Sequence, residues 1–124
     1  MDAARGQVIA ERLTETVRQH PVTVDQGTVI IGLTNVDMYI AKSDWRYAYS
    51  FRLQSQYAVV SSARLADEFG NPLVQMGRLQ RLVTKNIGVL FYDLPLSSNP
   101  RSVLYDRILG PDDLDRMSED FLFD

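Results

Sequence analysis

Between Val74 and Leu94 the apolar residues Met76, Leu79, Val83, Ile87, Leu90 and Leu94 recur at spacings of three and four. That period lines one face of an α-helix and fits no strand, so it restricts the fold more tightly than any other segment. The pattern predicts a helix over residues 74–94 with this stripe turned to the core, Ile87 and Leu90 buried. Arg78, Arg81, Lys85, Val89 and Tyr92 fall on another face. The cations there read as an exposed strip, because charged side chains are rarely buried unless paired. Pro95 closes the run, since proline disfavours helical geometry in the residue before it.

The remaining segments fall around this helix. Residues 2–19 read as an amphipathic helix, with Asp2 as N-cap and Ile9, Leu13 and Val17 on one stripe. His20-Pro21 ends it. Strands are expected within residues 28–65. "TVIIGLT" (28–34) is a β-branched run suited to a buried strand. In "SDWRYAYSFRLQ", Trp45, Tyr47, Tyr49, Phe51 and Leu53 alternate with polar or small residues, the period of a half-buried strand. "QYAVVSSARL" then reads as its antiparallel hairpin partner. Residues 95–124 form a turn and a short C-terminal helix, with Pro111 in its first turn beside Asp112 and Asp113. The order of elements gives one α+β domain over residues 1–124.

Composition removes several functions. Thirteen Lys and Arg are scattered among sixteen Asp and Glu, for a net charge of −3. No basic stripe for nucleic acid results. With 124 residues, 45% of them hydrophobic, the chain can bury a core as a soluble protein. Its apolar runs fall far short of the roughly 20 residues that cross a bilayer, so no membrane association is expected. Charges at Met1 to Gln7 are followed by no apolar stretch of signal-peptide type. The compartment stays open. There is no cysteine and one histidine, His20, which leaves no thiol nucleophile and no Cys-ligated zinc.

The candidate chemistries are few. His20, at a helix end beside proline, is better read as structural than as the base of a Ser-His-Asp set. The acids from Asp112 to Asp120 read as a solvated helix face. The aromatic face from Trp45 to Phe51 resembles a base-stacking platform, but strict alternation favours the buried side of a sheet. Lys85 would be a base or Schiff-base nucleophile only if desolvated near a carboxylate. Asn86 lies nearer the apolar stripe and reads as a hydrogen-bonded buried amide.

In their order, "IIGLTNVDMYI" (30–40), "AVVSSARL" (58–65), the long helix and "SVLYD" (102–106) resemble the archaemetzincins, a zinc-peptidase family of the metzincin clan. The resemblance implies a minimal zincin-like domain, a small mixed sheet packed on a long active-site helix. In that family the helix carries H-E-x-x-H-x-x-G-x-x-H-C, whose histidines hold zinc and whose glutamate activates the metal-bound water. The matching stretch here is "KNIGVLFYDLPL" (85–96). It puts Lys85 at the first histidine, Asn86 at the glutamate and Val89 at the second histidine, with Gly88 retained between them. With one inserted residue the third histidine falls at Pro95 or Leu96. The cysteines of the family's second zinc site fall near Ser97, Ser102 and Leu122, and Leu104 takes the place of the Met-turn methionine.

The resemblance therefore implies an inactive relative, a binding or structural module with no metal and no other cofactor, its vestigial active-site positions being Lys85, Asn86 and Val89. The alternative is an enzyme working in a metal-free cleft around Lys85, Asn86 and Tyr92, with Asp93 and Leu104 beside them. In metzincins an extended peptide lies along the sheet's edge strand. Here that strand is expected at Val59, Val60, Ser61, Ser62 and Ala63, so an extended peptide or protein is the expected partner.

Overall fold

The computed structural model describes residues 5–19, 25 and 27–122. Asp2 and His20 lie outside them. The chain divides into two compact units, Met1–Arg64 and Leu65–Asp124.

In the first unit a short strand β1 (Val8–Ile9) leads directly into helix α1 (Ala10–Arg18). The helix expected from residue 2 is therefore shorter at its start. Gly6 adopts φ +64°, a left-handed geometry that interrupts a helix. Val8 and Ile9 then pair in parallel with Met38 and Tyr39 of β3 (Met38–Tyr39). Strands β2 (Ile30–Thr34), β4 (Ser50–Leu53) and β5 (Tyr57–Ser61) form a mixed sheet in the order β2-β5-β4. β5 runs parallel to β2 and antiparallel to β4, the latter pair making the expected hairpin. Gln54 turns its corner at φ 57°.

Helix α1 packs on this sheet through a core of Ala10, Met38, Ala48 and Val59, flanked by Leu13, Val17 and Phe51. Gly32 permits the approach: a Cβ there would lie 2.9 Å from the Val17 side chain. The aromatic strand is shorter than its alternation suggests, and Trp45 is exposed. The reason is a contact remote in sequence. The Arg46 carbonyl accepts from Arg5 and Gln7, which draws the chain at Arg46 toward the N-terminal segment.

In the second unit, helix α2 spans Pro72–Leu90. Asn71 caps it by accepting from the Leu73 amide, and Pro72 occupies the first turn, where its missing N–H costs nothing. The helix ends four residues before the expected Leu94. Phe91 and Tyr92 donate to the Ile87 carbonyl, Leu94 donates to the Gly88 carbonyl, and Asp93 takes φ 54°. This closure satisfies the last carbonyls through a left-handed residue. Helix α3 (Pro111–Arg116) starts where Pro111 predicts, with the Asp113 carboxylate accepting from the amides of Leu109 and Gly110. No helix of the described residues is long and apolar enough to cross a membrane.

Candidate functional site

The inward face of α2 carries Arg78, Leu82, Lys85, Asn86 and Gly88. This corrects two expectations. Lys85 is only 7% exposed and Arg78 is also buried, whereas Ile87 of the presumed core stripe is 37% exposed. Arg81 is half-buried, as is Leu90. The inversion is physically possible because each polar group on the inner face meets a partner, which removes most of the desolvation penalty. The Arg78 guanidinium donates to both Asp115 carboxylate oxygens at 2.9 and 2.8 Å and to the Leu65 carbonyl at 2.9 Å. Lys85 Nζ donates to the Tyr105 carbonyl at 2.5 Å. Asn86, 0% exposed, donates to the Leu82 carbonyl at 2.8 Å, the buried amide that its position suggested. Arg81 donates to the Met117 carbonyl at 3.1 Å. Among the described residues no buried side-chain nitrogen or oxygen lacks a partner.

The ion pair has an electrostatic signature. Hydrogen bonding and charge from Arg78 hold the Asp115 carboxyl below its ordinary value of 3.8, against a smaller opposing effect of desolvation. In the first unit the Arg64 guanidinium does the same for Asp37, to which Gln7 also donates.

Gly88 is where the following turn meets the helix. A Cβ there would lie 2.7 Å from the Phe121 ring and 3.1 Å from Leu104. Leu104 is fully buried. Its turn is tied by the Ser97 amide donating to the Leu104 carbonyl and the Asp106 amide to the Ser97 carbonyl. The buried Ser102 hydroxyl accepts from the amides of Leu104 and Leu122, and the Ser97 hydroxyl accepts from the Asn99 amide. Hydroxyls thus knot the tail together at the positions where the resemblance puts cysteines. The remaining cleft candidates are on the surface. Tyr92 is exposed, its ring edge-on to Phe91 and Phe121, and Asp93 is exposed as well. Val89 is half-buried.

The expected peptide-binding edge is corrected too. β5 is the central strand. Val59 pairs with Gly32 on one side and Phe51 on the other, and Val60 with Leu33 and Ser50. The Ser61 amide donates to the Tyr49 carbonyl, the Ser62 amide to the Thr34 carbonyl and the Ala63 amide to the Ser61 hydroxyl. A backbone engaged on both sides has no donors or acceptors left for an added strand. Among the described residues the outer strands of this sheet are β2 and β4.

Sequence reasoning put Arg78 on an exposed strip and marked Ser102 only through the resemblance, without its role as a buried hydrogen-bond acceptor. A signal existed for Arg78: residues 78, 82, 85 and 89 also recur at three and four, a second stripe running through the cations.

No protein-family model and no curated protein sequence matches the chain. Solved structures do. The archaemetzincin of Methanopyrus kandleri is 26% identical with a TM-score of 0.78 over 97% of this chain. That of Archaeoglobus fulgidus, solved with malonate, is 20% identical with a TM-score of 0.75 over 98%. A zinc-dependent peptidase of Methanocorpusculum labreanum is 20% identical with a TM-score of 0.82 over 98%. The chain spans 62% of the Methanopyrus structure, less than two thirds, and 69% and 74% of the other two. The fold is α+β and archaemetzincin-like.

Such a fold implies zinc, and the side chains at the helix positions do not fit it. At Lys85 an ammonium already donating to the Tyr105 carbonyl has no lone pair to give, Asn86 offers a neutral carboxamide, and Val89 has no donor atom. Among the described residues no group of three or more His, Cys, Asp or Glu is placed to hold a metal ion.

Proposed function

We propose that the chain is a metal-free, catalytically inactive archaemetzincin-like domain that serves as a binding or structural module. The observation that supports it most directly is the use made of Lys85. Its ammonium is buried and turned to the Tyr105 carbonyl, so the side chain ties the helix to the turn at Leu104. Lys85, Asn86 and Val89 are vestigial active-site positions in this reading. Asn86 reinforces it, since its amide nitrogen donates to the Leu82 carbonyl of the same helix and a carboxamide is no general base. The alternative, a metal-free enzyme around Lys85, Asn86 and Tyr92, shares the desolvated Lys85, but that ammonium donates to the Tyr105 carbonyl and Tyr92 lies at the surface.

Hydrolysis of an unstructured protein substrate, followed with and without added zinc, tests the reading. Cleavage no faster than in buffer is expected in both conditions. Turnover that rises with zinc and disappears on chelation would overturn it.

A further inference from the structure

The chain leaves the first unit at Arg64 and enters the second at Leu65. The two residues of that peptide bond are held by separate arginine–aspartate pairs, one within each unit. In the first, Arg64 donates from Nε and Nη2 to the two carboxylate oxygens of Asp37 at 2.9 and 2.8 Å, its guanidinium 4.1 Å from the centre of the Tyr47 ring. Gln7 donates to the same carboxylate and accepts from Arg5, which fixes Asp37 from its other side. The approach to Arg64 is bound as well, the Ser62 amide donating to the Thr34 carbonyl and the Ala63 amide to the Ser61 hydroxyl. In the second unit the Leu65 carbonyl accepts from Arg78 Nη1, while Nε and Nη2 of that guanidinium take the two oxygens of Asp115.

Connections between compact units are ordinarily exposed, flexible and crossed by few contacts. This one is bonded on both sides, and the residue at its centre is an arginine, the side chain that a trypsin-like protease reads. We propose that Asp37 and Arg64 form a clasp over a latent cleavage site: the Arg64–Leu65 bond is closed to an arginine-specific protease while Asp37 holds the guanidinium, and it becomes a site of cleavage that divides the chain at the unit boundary when Asp37 is withdrawn. The competition is direct. Such a protease must take the arginine into its own acidic specificity pocket, and the guanidinium it needs is the one that Asp37 already engages with two hydrogen bonds. The two halves of the crossing differ in strength. The Arg64 side chain is 45% exposed and that of Arg78 only 9%. An exposed pair is screened by solvent, whereas breaking a buried one strands a charge. The first-unit half is therefore the one that opens, with the Arg78 half holding Leu65 in place.

The test is limited digestion of the full chain with trypsin, the fragments being identified by mass. Arg107, exposed and followed by Ile108, supplies a reference bond in the same molecule. In the parent chain the cut after Arg64 is expected to be slower than the cut after Arg107 by at least about tenfold, because cleavage follows the population of the locally opened form. Asp37→Asn should speed the cut after Arg64 about tenfold, the scale of one charge-assisted pair, and leave the cut after Arg107 unchanged. Arg64→Lys remains a trypsin site but loses the two-pronged contact and the stacking on Tyr47, so it should be cut faster after residue 64 than the parent. A parent chain cut as readily after Arg64 as after Arg107 would overturn the proposal. So would an Asp37→Asn variant cut at the parental rate, or one in which both bonds are cut faster by the same factor, the mark of general destabilisation.

Discussion

Lys85 and Arg78 stand two turns apart on α2, and both bury a full charge in a molecule whose other exposed surface offers ample room for cations. The cost of desolvation is offset by hydrogen bonds to the charged form, which are stronger than neutral ones. Removing the donor while keeping the volume exposes that balance. Lys85→Met should lower stability by about 1–3 kcal/mol, because the Tyr105 carbonyl loses its ammonium in a buried setting. Chemical denaturation of the variant checks it; an unchanged midpoint would mean the ammonium is not holding the turn. Asp115 adds a pH dependence of defined sign. Its folded pKa is depressed by Arg78, so its contribution is complete above the unfolded value near 3.8 and is lost as pH falls through the folded value. Stability should fall on acidification below about pH 4, and less steeply in Asp115→Asn. Asp37 beside Arg64 contributes in the same direction, so the variant's curve is flattened and not level.

At the scale of elements, Gly88 decides how closely α2 meets the turn that follows it. Gly88→Ala would place a methyl inside the radii of Phe121 and Leu104, and overpacking of this kind costs about 1–3 kcal/mol despite alanine's better helix propensity. A variant more stable than the parent would show that the contact is loose. The central place of β5 gives a second expectation: the amides of Val59 and Val60 exchange slowly in the free chain, and no extended peptide changes their rate. Much of this level was legible beforehand. The period of residues 74–94 gave a helix, Pro111 a helix start, and the two alternating runs a hairpin. What was not legible depended on partners remote in sequence. α2 has two stripes at three-and-four spacing, one apolar and one through Arg78 and Lys85. Leu65, Tyr105 and Asp115, brought to the second stripe by the fold, supply the partners that let it turn inward. Likewise Val8 and Ile9 suit a helix stripe or a strand equally, and pairing with Met38 and Tyr39 settles the matter. Central and edge strands carry the same local signal in "AVVSS", so the order β2-β5-β4 was not in the residues themselves.

For the molecule as a whole, the fold is archaemetzincin-like, and the proposed reading puts ordinary side-chain chemistry at the positions where the family resemblance calls for metal ligands. Ser97 and Ser102 show how. Their hydroxyls accept from the backbone amides of Asn99, Leu104 and Leu122, which ties the tail. In the proposed reading, internal hydrogen bonds and no zinc hold this architecture. The most direct measurement is the zinc content of the dialysed protein together with its thermal unfolding in a strong chelator. The account predicts zinc far below one per chain and an unfolding midpoint unchanged by chelation. One tightly held zinc per chain, lost together with the folded state when the chelator is added, would contradict it.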